Sequence, residues 1–392
     1  MSRRCAAVHA LTAIAAALAA LALAPAARAA DRRATPATLA GVLAAARPGD
    51  RILLAGGDYG SFAGAAKPGR VTLQAAPGAV ASLALAFTNA SNLTLDGVTV
   101  TSASLTGTTK NITVQHSTFT GFTSIRGLKN ANVVFDHDSF NGIDACDSGC
   151  NPARIWLGYP SDAPSGFTLS NSQLIGGSSD GIQAGPPVRI VDNEFGNIVP
   201  GDCGACHTDA IQLYCGCTAT AGSTIAGNYI HDSATAIGGY DGNGHDLIED
   251  NVLWHNGANT FVLGGDDHSI IRHNTTDGTI NLTSKAGQTS RGTIVQDNIA
   301  RAIVLANGVG GTATPALDSG NMLRSGARGR NFAGRPTFAR GGGLLARALG
   351  LAFGLDPTVT SGYRLARSSR GHGSGVGARI GAPRIWAPPK KP

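Results

Sequence analysis

The sequence predicts an all-β chain wound into a single solenoid of stacked parallel strands, and three observations predict it. A short phrase recurs down the middle of the chain. It reads Asn92-Leu-Thr-Leu-Asp-Gly, Asn111-Ile-Thr-Val-Gln-His, Asn132-Val-Val-Phe-Asp-His and Gly166-Phe-Thr-Leu-Ser-Asn, then Val188-Arg-Ile-Val-Asp-Asn and Ser223-Thr-Ile-Ala-Gly-Asn. Asp246-Leu-Ile-Glu-Asp-Asn, Ser269-Ile-Ile-Arg-His-Asn and Gly292-Thr-Ile-Val-Gln-Asp-Asn complete it. The phrases end at 97, 116, 137, 171, 193, 228, 251, 274 and 298, so the spacings are 19, 21, 34, 22, 35, 23, 23 and 24. Within each phrase apolar residues alternate as in a strand, and Gly, Asn or Asp punctuates its end. A period in the twenties with this pattern is a stack of strand-bearing coils.

The elements follow in order. Residues 1–30 read as a secretory signal: Arg3 and Arg4, then an Ala/Leu-rich stretch, then Ala27-Arg28-Ala29-Ala30. The apolar stretch between His9 and Pro25 is short for a membrane span. The mature chain is therefore expected to be exported. Thr38–Ala46 has helical spacing and leads into an apolar strand, so a short N-terminal capping helix is expected to cover the open end of the stack. Residues 31–306 hold the solenoid, and 307–392 a degenerate final coil, at Gly362-Tyr-Arg-Leu-Ala, with a basic, Gly/Arg-rich tail.

The cap-like Ala46-Arg-Pro-Gly-Asp-Arg-Ile-Leu-Leu54 segment and the Ile-x-x-Asn repeats resemble right-handed parallel β-helix proteins of the pectate-lyase-like superfamily, with their PbH1 repeats. The resemblance covers roughly Thr38 to Ala306. It implies the handedness and a carbohydrate-active role, because this scaffold hosts lyases, hydrolases, epimerases and adhesins.

Cys5 lies in the leader. Cys146, Cys150, Cys203, Cys206, Cys215 and Cys217 lie in or beside the two stretches that lengthen the repeat, and in an exported protein they read as disulfide staples on inserted loops. Cys203, Cys206, His207, Cys215 and Cys217 are also zinc-binding residue types, but their spacing is cramped and the compartment is wrong for thiolates. From Arg324 onward there are thirteen Lys/Arg and one acid, whereas residues 31–323 hold fifteen Lys/Arg and twenty-four Asp/Glu, a net of −9. An acidic body argues against nucleic acid as a partner.

A second strand ladder aligns as Ser124-Ile-Arg, Arg154-Ile-Trp-Leu, Asp180-Gly-Ile-Gln, Asp209-Ala-Ile-Gln-Leu-Tyr, Thr235-Ala-Ile-Gly-Gly-Tyr, Thr260-Phe-Val-Leu, Thr279-Ile-Asn-Leu and Ala302-Ile-Val-Leu. Strand parity turns the isoleucines inward. Arg126, Arg154, Trp156, Gln183, Gln212, Tyr214, Tyr240, Asn281 and Lys285 then face outward, a mixture suited to a glycan. Asp180 and Asp209 stack one coil apart with His207 beside them, a pair that would share a proton or bind a cation such as Ca²⁺. Their inward parity places them at a corner of the coil.

Lyases of this fold take the C5 proton of a uronate with Lys or Arg, which by resemblance points to Arg154. Lys285 stands about three coils, ~14 Å, from Asp209, too far to share a reacting atom with it. Tyr240-Asp-Gly-Asn-Gly-His245-Asp246 faintly resembles the Asp-Pro-His-Asp motif of mannuronan C5-epimerases at His245 and Asp246. Asn243 and Gly244 depart from that motif. Gly264-Gly-Asp266-Asp267 and Gly371-His-Gly373 are similar to pieces of the polygalacturonase pattern but stand about a hundred residues apart. His231, Asp232, His255 and His268 follow repeat turns, where solvated or turn-capping roles are expected.

The expectation is an exported polysaccharide lyase acting on an acidic glycan. His207 or Arg154 would be the base, with Asp180 and Asp209 holding Ca²⁺ or orienting that base. Arg126, Trp156, Gln183, Gln212, Tyr214, Tyr240 and His245 would contact sugar. The alternatives are a non-catalytic glycan-binding solenoid, a C5-epimerase or a glycoside hydrolase.

Overall fold

The computed structural model describes residues 29–128, 131–144, 153–158, 165–185, 187–201, 207–214, 222–240, 242–284, 288–305, 313–334 and 376–377. They build an all-β parallel β-solenoid of about 11 turns, with helix limited to Leu39–Ala45. The leader-like stretch up to residue 28, all seven cysteines, Lys285, Gly362–Ala366 and Gly371–Gly373 lie outside the described residues. So the disulfide and zinc expectations fall there too. Among the described residues no helix is long and apolar enough to cross a membrane.

The repeated phrase becomes one sheet of the coil because its alternation sends every second side chain into the core. Leu95, Val114, Phe135, Leu169, Ile190, Ile225, Ile248, Ile271 and Val295 pair in unbroken parallel register, and each is completely buried. Burying one such side chain is worth about 1.5–3 kcal/mol, so the column is a main source of cohesion. Phe119 stacks on Phe140 at 4.2 Å, and Phe135 meets Phe167 edge-on at 5.3 Å, filling the wide early coils.

Beside the apolar column runs a polar ladder. Asn193, Asn228, Asn251, Asn274, Asn298 and Asn321 are buried at a bend, each Oδ1 accepting the backbone N–H of the residue one coil earlier. Each Nδ2 from Asn193 to Asn298 donates to the next Oδ1 at 2.9–3.0 Å. Ser117, Asp138 and Ser172 take the same place in the early coils. The residue before each rung turns the chain with positive φ: His116, His137, Asn171, Asp192, Gly227, Asp250, His273, Asp297 and Gly320, and Gly97 turns it likewise before Val98. The first four phrase ends picked from the sequence are therefore bend residues, and from the second of them onward the true rung lies one residue later. Asn171 misleads because it has the residue type of the ladder and the conformation of the bend, a geometry Asn tolerates well.

Asp138 is a carboxyl where later coils have an amide. Burial pushes its pKa well up, and its Oδ1 accepts the Ser117 N–H at 2.8 Å. Asp138→Asn is expected to raise the unfolding midpoint, since an amide needs no proton held against its ordinary pKa. A lowered midpoint would show that the carboxyl has a partner an amide cannot replace.

The short helix Leu39–Ala45 buries Leu39 and Leu43, and the Lys67 ammonium donates to the Leu43 and Ala44 carbonyls at its C-terminal end. A strand absent from the sequence reading, Asp31–Ala34, precedes it and pairs with Arg51–Leu54 as the first rung. The aligned second ladder is reproduced from Ile155 through Ile182, Ile211, Ile237, Phe261 and Ile280 to Ile303. One end differs: Ser124 pairs with Trp156 rather than Arg154. A two-residue slip preserves parity, so Arg126 still faces outward.

Candidate functional site

The three expected acid–base residues meet. Strands Ile182–Ala184 and Asp209–Leu213 are adjacent, and Asp180 and Asp209 stand just before or at their starts. The Asp209 N–H donates to Asp180 Oδ1 at 2.8 Å, so Asp180 partly plays the turn-capping role that Asp takes at corners. One ligand-type atom each from Asp180, His207 and Asp209 lies within 4.8 Å of the others. His207 Nδ1 is 3.3 Å from Asp209 Oδ2, and the His207 side chain is 58 % exposed while that of Asp209 is fully buried.

Electrostatics follow from that burial. Desolvation pushes Asp180 up to about 7, with the adjacent Asp209 charge adding to it. Desolvation pushes Asp209 up to about 7 as well, the Thr235 hydroxyl offsetting only part. Both Asp209 carboxylate oxygens lie below the surface without a well-formed hydrogen bond among the described residues. Such a group keeps a proton or takes a cation, and two carboxylates with an imidazole are a donor set a divalent ion can use.

Tyr240 closes the cluster. Its ring meets His207 edge-on at 5.5 Å, and burial together with the Asp209 charge pushes its pKa up to about 12. The Tyr240 hydroxyl is buried while the residue as a whole is half-buried, its ring packed against that of His207. Sequence reasoning missed why there is room for it. Gly238 pairs with Gln212, and a Cβ there would lie 2.7 Å from the Tyr240 ring and 3.1 Å from Asp209 Cγ. The signal was present as Ile-Gly-Gly where neighbouring coils have Ile-Gln.

Next to the cluster the outward row is Ser124, Trp156, Gln183, Gln212 and Gly238. Gln183 Nε2 donates to Gln212 Oε1 at 2.6 Å, the Arg126 guanidinium lies 5.3 Å from the Trp156 ring centre, and Tyr214 is half-buried.

Arg154 departs from its expected place. It is completely buried, donating to the Phe140, Gly176 and Ser179 carbonyls, and desolvation lowers its pKa to about 10. The reason is the corner: the position preceding Ile155 is already in the bend, where strand parity no longer applies. A group sealed there does not reach a glycan; it sets a positive charge beneath Asp180. His245 belongs to another corner, at φ 55° and stacked 5.7 Å from His268. Asp246 is buried, accepting the Ser223 N–H at 2.8 Å, and Asp266 accepts from Ser269. Asp246 thus ties two coils together, and Asp266 does so through the Thr293 hydroxyl, which donates to its Oδ2.

His231 is not solvated as expected. Its side chain is 19 % exposed, between Glu194 at 3.3 Å and Asp232 at 2.7 Å, and stacks on Tyr229 at 4.5 Å. A shallow depression of about 460 Å³ lies on the repeated-phrase sheet, lined by Thr168, Arg189 and Thr224 among others, and offers no acid–base pair.

Asp138, Asp180, Asp209, Asp246 and Asp266 all have pKa values raised on folding, chiefly by desolvation. The folded state holds protons that the unfolded chain releases above about pH 4, so stability falls as pH rises towards about 7. The raised His231, held by Glu194 and Asp232, contributes in the same direction, its stabilisation being lost as pH rises through the folded value. The unfolding midpoint is expected to be lower at pH 8 than at pH 5. An unchanged or higher midpoint at pH 8 would mean these carboxyls are ionised and paired.

The geometry defines the class: an all-β parallel β-solenoid. No family model and no curated protein sequence matches the chain. Among solved structures it is similar to the PL6 family alginate lyase AlyGC, at 12 % identity and TM-score 0.42 over 79 % of this chain and 54 % of that one. The chain thus spans about half the length of that enzyme. Pectate lyase Pel9A matches at 13 % identity and TM-score 0.34, over 87 % of this chain and 90 % of that one. The A-module of an Azotobacter vinelandii mannuronan C-5 epimerase matches at 14 % and 0.42, over 73 % and 93 %. Likeness at this level concerns the fold alone.

Proposed function

We propose that this protein is an exported polysaccharide lyase that cleaves an acidic glycan by β-elimination. The observation that carries the reading is the convergence of Asp180, His207 and Asp209 beside an outward row of Trp156, Gln183 and Gln212. With Nδ1 turned to Asp209, His207 has Nε2 left for substrate. That nitrogen takes the C5 proton of a 4-linked uronate, C4=C5 forms, and the C4–O4 bond breaks. Asp180, half-buried and pushed up to about 7, retains a proton near neutrality and delivers it to the departing O4. Tyr214, Gln183 and Gln212 offer ring and amide contacts to the sugars.

If Asp180 is ionised instead, it and Asp209 are the residues that would hold Ca²⁺, and solvent rather than Asp180 then protonates the departing O4. The buried, donor-poor Asp209 carboxylate fits that use. A bound cation would supply neutralisation of the uronate carboxylate. Export rests on the signal-like residues 1–30.

The test is ultraviolet absorbance of the unsaturated product while the protein is incubated with a panel of uronate polysaccharides, with calcium and with chelator. A rise establishes the lyase, and its loss in chelator assigns the cation. Binding without a rise would make the protein a glycan-binding solenoid, or an epimerase if the residual glycan changes its uronate composition.

A further inference from the structure

We propose that the chain is processed by hydrolysis of the Ala29–Ala30 peptide bond, and that Asp50 is the receptor for the α-ammonium this frees on Ala30. The proposal rests on the reading of the N-terminal stretch as an export leader and is independent of the lyase chemistry. Leader cleavage needs small residues at the first and third positions before the cut. Between Pro25 and Asp31 two bonds meet that demand: Ala26–Ala27, behind Ala24-Pro25-Ala26, and Ala29–Ala30, behind Ala27-Arg28-Ala29. A cut after Ala30 would put Arg28 at the third position.

The structure separates the two bonds. Asp50 follows the short helix in a turn and is only 3 % exposed. Its Oδ1 accepts the Ala30 N–H at 3.0 Å, and its Oδ2 accepts the Arg47 N–H at 2.9 Å and the Arg32 Nε–H at 2.7 Å. The Arg47 and Ala30 N–H groups, then the Arg32 guanidinium, hold the carboxyl well below the usual carboxylate range. The Asp50 N–H donates to the Arg47 carbonyl and the Asp50 carbonyl accepts the Thr72 N–H, so the carboxylate sits on fixed backbone. The Ala30 carbonyl accepts the Arg51 N–H at 3.0 Å, in line with the pairing of Asp31 and Arg51. The first rung therefore holds Ala30 at both its N–H and its carbonyl. Ala29 makes no hydrogen bond among the described residues, and both alanines are exposed.

Hydrolysis adds water across this one bond. Ala29 leaves with the leader as a carboxylate, and the Ala30 nitrogen becomes an amine that takes a proton. That nitrogen already lies against Asp50 Oδ1, so a neutral contact becomes a charge-assisted one without movement of the chain. A cut after Ala26 would keep a neutral amide there with three residues ahead of it. A cut after Ala30 would remove the donor and leave Asp50 Oδ1 without it.

The experiment exports the full chain from a secreting bacterial host and reads its first residue by terminal sequencing and intact mass. Ala30 is the expected first residue. The α-amine is then acylated at pH 7, and its labelling rate is read by peptide mass in the folded protein, in the same protein unfolded in urea, and in Asp50→Asn. A free α-amine has a pKa of about 7.7–8.0, and pairing with an ionised carboxylate raises it, so one unit makes labelling about tenfold slower in the folded protein than in the unfolded. Folded Asp50→Asn, checked by far-ultraviolet circular dichroism, should label within about twofold of the unfolded rate. The unfolded reference needs no variant, so equal rates in folded and unfolded protein overturn the receptor even if Asp50→Asn does not fold. Slow labelling that persists in folded Asp50→Asn means shielding without charge and overturns it too. A chain beginning at Ala27 or Asp31 overturns the assigned bond and leaves export standing, whereas an uncleaved chain overturns both.

Discussion

His207→Ala is expected to lower the rate of uronate elimination by about 10²–10⁴-fold, the usual worth of a positioned general base. The His207 side chain is 58 % exposed, so its removal should leave the unfolding midpoint nearly unchanged. Asp209→Asn should behave differently. It removes a carboxyl that folding forces to hold a proton, pushed up to about 7, so the midpoint should rise while activity falls. Opposite signs for stability and activity are what a group retained for chemistry produces, whereas a buried carboxyl with no part in the chemistry, such as Asp138, would gain stability on substitution and leave activity unchanged. Steady-state rates on the responsive glycan together with thermal unfolding of both variants decide it. Full activity in His207→Ala would remove this histidine from the mechanism.

Asn251→Ala is expected to cost about 3–5 kcal/mol, a large loss for a single polar side chain. Asn251 Oδ1 accepts both the N–H and the Nδ2 of Asn228, and its own Nδ2 donates to the Ile225 carbonyl and to Asn274 Oδ1. All four contacts lie between 2.9 and 3.0 Å in a fully buried place. Alanine removes them and leaves buried donors with no acceptor, which is more damaging than the loss of the bonds themselves. Asn89→Ala, exposed and tied to the Thr108 hydroxyl, serves as the comparison and should cost about 0.5 kcal/mol or less. Denaturant unfolding of the two variants checks the difference. Equal costs would mean the ladder is an ornament of a stack held by its apolar column alone.

The amino-acid order determined the solenoid. Alternation and a period near twenty-three residues do not depend on distant parts of the chain, and stacked identical coils turn a local pattern into a global one. For the same reason the meeting of Asp180 with Asp209, of Gln183 with Gln212, and the outward parity of Arg126 and Trp156 were legible before any coordinates. Placing two strands in register places their neighbours too. What the order did not decide lies at the corners. Arg154 stands where a strand bends, and there the backbone leaves strand parity, so a residue expected outside is sealed inside. Asn171 belongs to a bend and not to the ladder, though its residue type suits both. Desolvation was equally invisible: the raised proton affinities of Asp180 and Asp209 come from how many atoms surround them, and that is a sum over three coils. Periodicity carries information along the chain, but burial and charge at a corner are settled only when the coils close on one another.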